Sequence, residues 1–215
     1  MKLKILIIAL VCIPVAIAVL FASGIIVTDR SAVLSAEGLS WNGAFYKSCS
    51  GIYDEGKTVA KTSDGTWNIN EVEGDPEHNF VVARSGTDDA LYVRSDYSVP
   101  DSGTPETVYL GSDQITDSEH CKILSDIFIS DLGAFFLTAS HSDVEEWIPL
   151  SIGYDSCPVA IFRGYLISYG GKYFFTVDLS DMTEKDDGSG SQFTVICKLV
   201  NEDYFSAIDK YFLTD

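Results

Sequence analysis

Short runs of β-branched and aromatic residues, separated by glycine, asparagine and aspartate, dominate the chain from Leu39 onward. This pattern predicts strands, because such side chains favour extended backbone and the separators favour turns. The predicted strands before residue 116 are 40–47, 57–62, 66–73, 79–84, 90–95 and 106–110. Those after residue 133 are about 134–139, 145–152, 158–168, 172–179 and 192–200. Tight turns such as Asn42-Gly43 and Gly170-Gly171 leave no room for parallel crossovers, so we expect antiparallel pairing.

Two segments instead have apolar residues at intervals of three and four, which is the period of an amphipathic helix. In the first, predicted at 117–130, Thr116 and Glu119 form a capping box, and the apolar stripe contains Cys121, Leu124, Ile127 and Phe128. The second is at the C-terminus. Asn201 is placed to cap it, and its stripe contains Tyr204, Phe205, Ile208, Tyr211 and Phe212.

An uncharged run from Ile5 to Val27 precedes these elements. As a helix it would be about 35 Å long, enough to cross a hydrocarbon core of about 30 Å. We therefore expect an uncleaved transmembrane anchor, and Lys2 and Lys4 place its N-terminus in the cytoplasm and the bulk of the chain outside. The alternative is a cleaved signal peptide and a secreted protein, because Ala22-Ser23-Gly24 offers a small-residue cleavage site.

Taken together, these elements predict an α+β fold with mainly antiparallel strands and two covering helices, outside an N-terminal transmembrane helix. We expect the anchor or signal peptide at 1–28, a stalk at 29–38 and an extracytoplasmic domain at 39–215. Each half of that domain contains several strands followed by a helix, which suggests sub-halves at 39–131 and 132–215.

Composition narrows the choice of partners. Of the 215 residues, 14 are Lys or Arg and 32 are Asp or Glu, so the formal net charge is −18. This balance argues against a nucleic-acid partner, because phosphate binding requires a basic surface. A hydrophobic content of 46% is too high for an intrinsically disordered chain and supports a folded core.

Several turn and strand motifs in the region 40–212 are similar to those of a known group of proteins. They are Trp41-Asn42-Gly43, Gly56-Lys57-Thr58, Ile69-Asn70-Glu71-Val72-Glu73-Gly74-Asp75, Leu91-Tyr92-Val93-Arg94 and Gly153-Tyr154-Asp155-Ser156-Cys157-Pro158. With these motifs the chain resembles a group of single-span or secreted envelope proteins of anaerobic Gram-positive bacteria. The resemblance implies a compartment and an architecture, and it implies no activity.

Four cysteines lie outside the predicted span, namely Cys49, Cys121, Cys157 and Cys197. An even number in an extracytoplasmic domain favours disulfides. If they form, we expect pairs within each half, Cys49 with Cys121 and Cys157 with Cys197. Alternatively they are small buried side chains, because Cys121 lies on the apolar helical stripe and Cys197 alternates with apolar residues on one strand face.

Few residues of the chain are candidates for catalysis or metal binding. The motifs G-x-S-x-G, S-x-x-K and H-E-x-x-H do not occur. A nucleophilic pair of Cys121 with His78 or His141 is conceivable, but the apolar stripe favours a buried thiol. The acidic loop at 178–191 is interpreted as a solvated hairpin tip rather than a calcium site. The acidic group from Glu71 to Glu77 is interpreted as an exposed strand face.

We therefore expect a membrane-anchored extracytoplasmic module that binds or senses an unknown envelope protein or ligand, with no catalytic residues, no cofactor and no metal site. The alternative is an envelope hydrolase that uses paired carboxylates, whose spacing the fold would set, or a Cys-His site.

The length of the apolar run generates a first prediction. Because Ile25, Ile26 and Val27 continue the run past the candidate cleavage site, the mature protein should retain residues 5–27. Mass spectrometry of the protein extracted from membranes should therefore detect the intact N-terminal segment. A mature N-terminus at Ile25 would replace the anchor with a secreted form.

Overall fold

The computed structural model describes residues 29, 31–100, 103–129, 135–140, 144–177, 185–186 and 191–212. They belong to two compact units, Met1–Ser98 and Val99–Asp215. The anchor predicted at residues 5–27 lies outside the described residues. Within the described part, no helix combines the length and the apolar character needed to cross a membrane.

The predicted α+β class is wrong. Strands account for 57% of the described residues and helices for 12%, so the protein is mostly antiparallel β-sheet. The physical reason is that the sheet of the first unit curls and buries its apolar surface against itself, so no helix covers it there. Two helices of 12 and eight residues therefore supplement the packing of one unit instead of forming a layer of their own.

The first unit is a single antiparallel sheet. Its strands are β1 (Val33–Ser35), β2 (Gly38–Trp41), β3 (Ala44–Cys49), β5 (Glu55–Lys61), β6 (Asn68–Val72), β7 (Phe80–Ser85) and β8 (Asp88–Arg94), and a two-residue strand β4 (Gly51–Ile52) lies between β3 and β5 in sequence. The spatial order is β1-β2-β3-β8-β7-β6-β5. β1 falls in the segment predicted as a stalk, so part of that segment belongs to the folded unit.

A hairpin divides the strand predicted at 40–47 into β2 and β3. Asn42 and Gly43 have φ angles of 50° and 76°, which a two-residue turn between twisted antiparallel strands requires. The turn predicted at these two residues is therefore confirmed, and the single strand across them is wrong.

The sheet of the first unit curls until the chain before β1 reaches the end of β5. The Lys61 amide donates to the Asp29 carbonyl at 2.9 Å, and the Ser63 amide donates to the Ala32 carbonyl at the same distance. The Trp41 indole also donates to Asp29 Oδ2 at 3.0 Å. These bonds join the two ends of the strand order and enclose a core of Ala32, Leu39, Trp41, Tyr46, Ala60, Ile69, Val81, Ala83 and Tyr92.

The second unit combines a longer sheet with two helices. Its elements are β9 (Pro105–Leu110), β10 (Asp113–Ile115), α1 (Ser118–Ile129), β11 (Phe135–Ser140), β12 (Val144–Tyr154), β13 (Ala160–Tyr169), β14 (Lys172–Thr176), β15 (Lys185–Asp186), β16 (Ser191–Leu199), a 3₁₀ turn (Glu202–Tyr204) and α2 (Phe205–Phe212). The spatial order is β10-β9-β12-β13-β14-β16-β11, and β15 pairs with β16.

Both faces of this second sheet bury apolar residues. The helices pack on one face, where Cys121, Leu124 and Ile127 of α1 and Ile208 of α2 join the main core. A smaller cluster on the other face consists of Leu137, Ile167, Phe174, Val195 and Cys197. Neighbouring residues of one strand thus enter different cores, as the alternation of side chains in a strand requires.

The helix prediction at 117–130 is confirmed, but its cap is shifted by one residue. Asp117 Oδ1 accepts a hydrogen bond from the His120 amide at 3.0 Å, which makes Asp117 rather than Thr116 the capping residue. Asn201 does cap the C-terminal segment, because its side chain accepts from the Asp203 amide. The element that it caps begins as a 3₁₀ turn and continues as α2.

Two glycines allow strands to bend in equivalent ways. Gly38 in β2 and Gly164 in β13 have φ angles of 148° and 145°. A Cβ atom on Gly38 would collide with the carbonyl oxygen of Tyr46, and one on Gly164 with that of Thr176. An aromatic ring of the neighbouring strand also lies against each glycine. Gly164 coincides with a register shift between β12 and β13, so the bend is part of a β-bulge.

Substitution of these glycines tests the role of the bend. Gly164→Ala should lower the free energy of unfolding by about 2 kcal/mol or more, because the new methyl group meets a backbone carbonyl that cannot move freely. Gly153→Ala is the matched control: its Cβ would lie 3.5 Å from the nearest atom, and its φ angle is ordinary. Denaturant titrations of the two variants should differ clearly, and equal midpoints would contradict this account.

Candidate functional site

One open concavity lies on the first unit, and we call it the Tyr53 cleft. It has a volume of about 730 Å³ and an open mouth, and its wall includes Ser48, Tyr53, Glu55, Arg84, Asp89 and Leu91. Four strands, β3, β5, β7 and β8, and the segment before β5 contribute these residues. Strand register brings these residues close together, because Arg84 on β7 pairs with Asp89 on β8 and Leu91 on β8 pairs with Cys49 on β3.

A network of charged and polar side chains forms one wall of the Tyr53 cleft. The Arg84 guanidinium contacts Glu55 Oε2 at 2.8 Å and Asp89 Oδ2 at 3.5 Å. Tyr53 donates its hydroxyl hydrogen to the same Asp89 oxygen at 2.7 Å. The Asn70 amide donates to Glu55 Oε1 behind this pair. Each group therefore restricts the orientation of the next, and one guanidinium is shared by two carboxylates.

Burial differs across this network. Asn70 is almost fully buried, whereas the side chains of Arg84 and Asp89 are 44% and 42% exposed. Among the described residues, Asn70 Oδ1 and Arg84 Nε have no hydrogen-bond partner although both atoms are buried. The guanidinium of Arg84 and the carboxylate of Asp89 remain partly accessible to solvent.

Tyr53 acts as a hydrogen-bond donor in this arrangement. Burial and, secondly, the hydrogen bond to Asp89 raise the pKa of the Tyr53 phenol well above its usual value. The phenol therefore keeps its proton at any physiological pH. This environment suits a fixed polar contact and opposes a phenolate nucleophile.

A second concavity on the first unit, which we call the Glu71 cleft, is lined by Lys57, Glu71, Val72, Gly74, Asp75, Pro76 and His78. It has a volume of about 510 Å³. Glu71 lies 3.8 Å from Lys57 Nζ and 3.6 Å from His78 Nε2, and the His78 ring packs edge-on against Trp41 at a centroid distance of 5.3 Å. The His78 backbone has a φ angle of 52° and its carbonyl accepts from the Tyr46 hydroxyl, so this residue is firmly held.

The acidic group from Glu71 to Glu77 is only partly the exposed face that we expected. Asp75 is buried: its Oδ2 accepts from the Phe80 amide at 2.6 Å and its Oδ1 from Asn79 Nδ2 at 3.3 Å. It therefore fixes the turn before β7. The expectation of an exposed face is wrong for this residue because an acceptor in a tight turn can bond to amides further along the chain.

Cys121 occupies the environment of a core cysteine. It is fully buried, and its Sγ lies 3.2 Å from the Ile115 carbonyl to which it donates. Burial raises the pKa of its thiol, which disfavours the thiolate that a nucleophile needs. His120 is on the exposed side of α1 and contacts Asp117 at 2.7 Å. His141 lies outside the described residues, and His78 belongs to the Glu71 cleft of the first unit.

The other cysteines lie in different surroundings. Cys49 is half-buried at the end of β3, in the wall of the Tyr53 cleft. Cys157 packs against the main core of the second unit, whereas Cys197 lies in the smaller cluster on the opposite face. Burial raises the pKa of the Cys197 thiol to about 11. The pairing of Cys49 with Cys121 and of Cys157 with Cys197 stays a prediction.

Metal ligation has no support in the described part of the chain. No three His, Cys, Asp or Glu side chains there are close enough to hold a metal ion. Most of the acidic loop at 178–191 lies outside the described residues. Within the loop the structure describes only Lys185 and Asp186, in β15, and Ser191, in β16. Its interpretation as a hairpin tip without calcium stays a prediction.

The residues of the Tyr53 cleft were not singled out from the sequence. One local pattern could have indicated part of it: the turn after Ser85 sets the register that places Arg84 opposite Asp89. Glu55 and Tyr53 come from a different part of the chain and carry no comparable pattern.

Comparison with known proteins gives no further assignment: no family model, no curated protein and no solved structure matches the chain. The resemblance to envelope proteins therefore stays an expectation from sequence motifs.

The shared guanidinium gives a prediction about stability. Arg84→Ala should lower the free energy of unfolding at neutral pH by about 1–2 kcal/mol, because two carboxylates lose their common cation. The cost is held to this range by solvent screening, since Arg84 is 44% exposed. Arg84→Lys should cost less, because it keeps the charge and loses only the planar fork.

The salt dependence of this effect distinguishes charge from packing. Added salt screens exposed charges, so the Arg84→Ala deficit should shrink at high ionic strength. Urea titrations of the wild type and both variants at low and high salt provide the measurement. A deficit that is equal at both salt concentrations would mean that lost packing, rather than lost charge pairing, is responsible.

Proposed function

We propose that the chain is a membrane-anchored extracytoplasmic module that binds a polar ligand in the Tyr53 cleft and carries out no reaction on it. The observation that carries this proposal is the network of Tyr53, Asp89, Arg84 and Glu55 in the wall of an open cleft. Their mutual bonds fix the positions of groups that remain partly exposed. Binding sites use such prearranged polar groups because little entropy is then lost when the ligand arrives.

The state of these groups favours binding over hydrolysis. A glycosidase of the paired-carboxylate type needs one protonated carboxyl as a general acid and one carboxylate as a base or nucleophile. Here one guanidinium contacts Glu55 and Asp89 together, so the two carboxyl groups do not have the contrasting surroundings that separate an acid from a base. The Cys-His alternative has less support, because Cys121 is buried and bonded to a backbone carbonyl.

The location outside the cell rests on the sequence. The apolar run from Ile5 to Val27 and the lysines before it support an anchor with the folded units outside. A tethered module with an open cleft would meet ligands that belong to the envelope itself. The resemblance to envelope proteins supports the same compartment.

Sedimentation with envelope material tests this proposal. The full chain, purified in mild detergent, is mixed with insoluble envelope fragments of its source cell and centrifuged. Asp89→Asn and Tyr53→Phe should each reduce the bound fraction as if the affinity fell about tenfold, since one lost hydrogen bond to a ligand or its support is worth roughly that factor. Thermal unfolding of each variant verifies that it is folded.

Asp88→Asn is the matched control for charge. Asp88 is the neighbour of Asp89 on the same strand and does not line the cleft. This variant has the same net charge as Asp89→Asn and should sediment like the wild type. Folded Asp89→Asn and Tyr53→Phe variants that also sediment like the wild type would refute the assignment of the cleft as the binding surface.

A further inference from the structure

The ionic balance of the Tyr53 cleft restricts the class of ligand. Its cation, Arg84, already lies between Glu55 and Asp89, so the network has no surplus positive charge with which to hold an anion. The net charge of −18 adds a long-range repulsion against phosphate-rich or carboxylate-rich polymers. The balance therefore disfavours an anionic ligand, and the hydrogen-bonding groups that stay accessible decide between a cationic and an uncharged one.

The accessible groups present a donor beside an acceptor. Arg84 and Asp89 face each other across the β7–β8 pair, and each is more than 40% exposed. A guanidinium supplies five N–H donors and a carboxylate has two accepting oxygens, so the contacts within the network leave further N–H groups and lone pairs for a ligand. A hydroxyl group both donates and accepts. Two neighbouring hydroxyls can therefore each bond to this pair.

The remaining wall of the cleft offers both hydroxyl and apolar contacts. Ser48 and Ser50 provide further hydroxyl groups, and Ile52, which is 40% exposed, provides apolar surface. A pyranose ring has the matching character, because its rim carries hydroxyls and its faces carry C–H groups. A volume of about 730 Å³ lies within the range of about 300–1,000 Å³ that is typical of small-ligand sites.

We infer that the Tyr53 cleft binds an uncharged saccharide through two neighbouring hydroxyl groups held by Arg84 and Asp89. This inference rests on the proposed function, since it names the ligand class of the same cleft. Tyr53 contributes by fixing the Asp89 carboxylate, and the Asn70–Glu55 pair fixes the other side of Arg84.

Saturation-transfer NMR with defined probes tests the inference on the full chain in detergent. The uncharged probes are trisaccharides of glucose, mannose, galactose and N-acetylglucosamine, and the charged probes are trigalacturonate and spermidine. At least one uncharged trisaccharide should bind, and trigalacturonate should not. Asp89→Asn should weaken that binding at least tenfold, and Asp88→Asn should change it less than twofold. A deoxy analogue of the bound sugar that lacks one of the two neighbouring hydroxyls should also bind at least tenfold more weakly.

The possible failures separate the ligand class from the site. Binding of spermidine but of no trisaccharide, with loss in Asp89→Asn, would overturn the saccharide and leave the cleft as the binding surface. If sedimentation with the envelope depends on Asp89 but no trisaccharide binds, the saccharide would likewise be overturned and the cleft would remain the binding surface. Trisaccharide binding that Asp89→Asn leaves unchanged would place the sugar outside the cleft and overturn this inference.

Discussion

Close backbone approach at two glycines is the constraint on which the curled sheets depend. At Gly38 and Gly164 a carbonyl of the adjacent strand occupies the space that any side chain would fill. A sheet without such bends stays comparatively open, because β-carbons keep neighbouring backbones apart. The first sheet closes on its own apolar face, and helices complete the packing only in the second unit.

Curling has a consequence for the edges of the first sheet. Strands at an edge carry unpaired amide and carbonyl groups, which proteins must cover or protect. Here the backbone of Asp29 and Ala32 pairs with the end of β5, and the Asp29 side chain binds Trp41 from β2. Hydrogen bonds from Ser31 and from Trp41 also lower the pKa of the Asp29 carboxyl. The segment next to the predicted anchor is thereby part of the folded unit.

The Tyr53 cleft shows how strand register creates a site from ordinary residues. Arg84 follows a buried apolar run, and Asp89 lies near the start of the next strand, so a tight turn brings them opposite each other. Glu55 reaches the same guanidinium from β5, which is separated from β7 by β6. Charges that would repel or remain solvated elsewhere become mutually fixed here. The N–H groups of Arg84 and the oxygens of Asp89 that are not used within the network remain for a ligand, and a ligand with paired hydroxyls would complement them.

Local patterns determined a large part of this architecture from the sequence. Runs of β-branched and aromatic residues predicted antiparallel strands, the Asn42-Gly43 turn was correct, and the period of Cys121, Leu124 and Ile127 located α1. These features succeed because hydrogen bonding and side-chain spacing within a few residues decide them. The class was wrong because the number of covering layers depends on how far a sheet curls, and in the first unit the curl ends in hydrogen bonds between residues about 30 positions apart, Asp29 with Lys61 and Ala32 with Ser63.

The site depended on tertiary structure in the same way. The register of β7 and β8 could be deduced from the turn after Ser85, but the arrival of Glu55 and Tyr53 could not, because it depends on the order β8-β7-β6-β5. The sequence by itself determined the longer strands and both helices, and it missed the short strands β1, β4, β10 and β15. Only the tertiary structure decided that Asp75 is buried and that two carboxylates share Arg84, because both facts depend on side chains brought together across the sheet or through a turn.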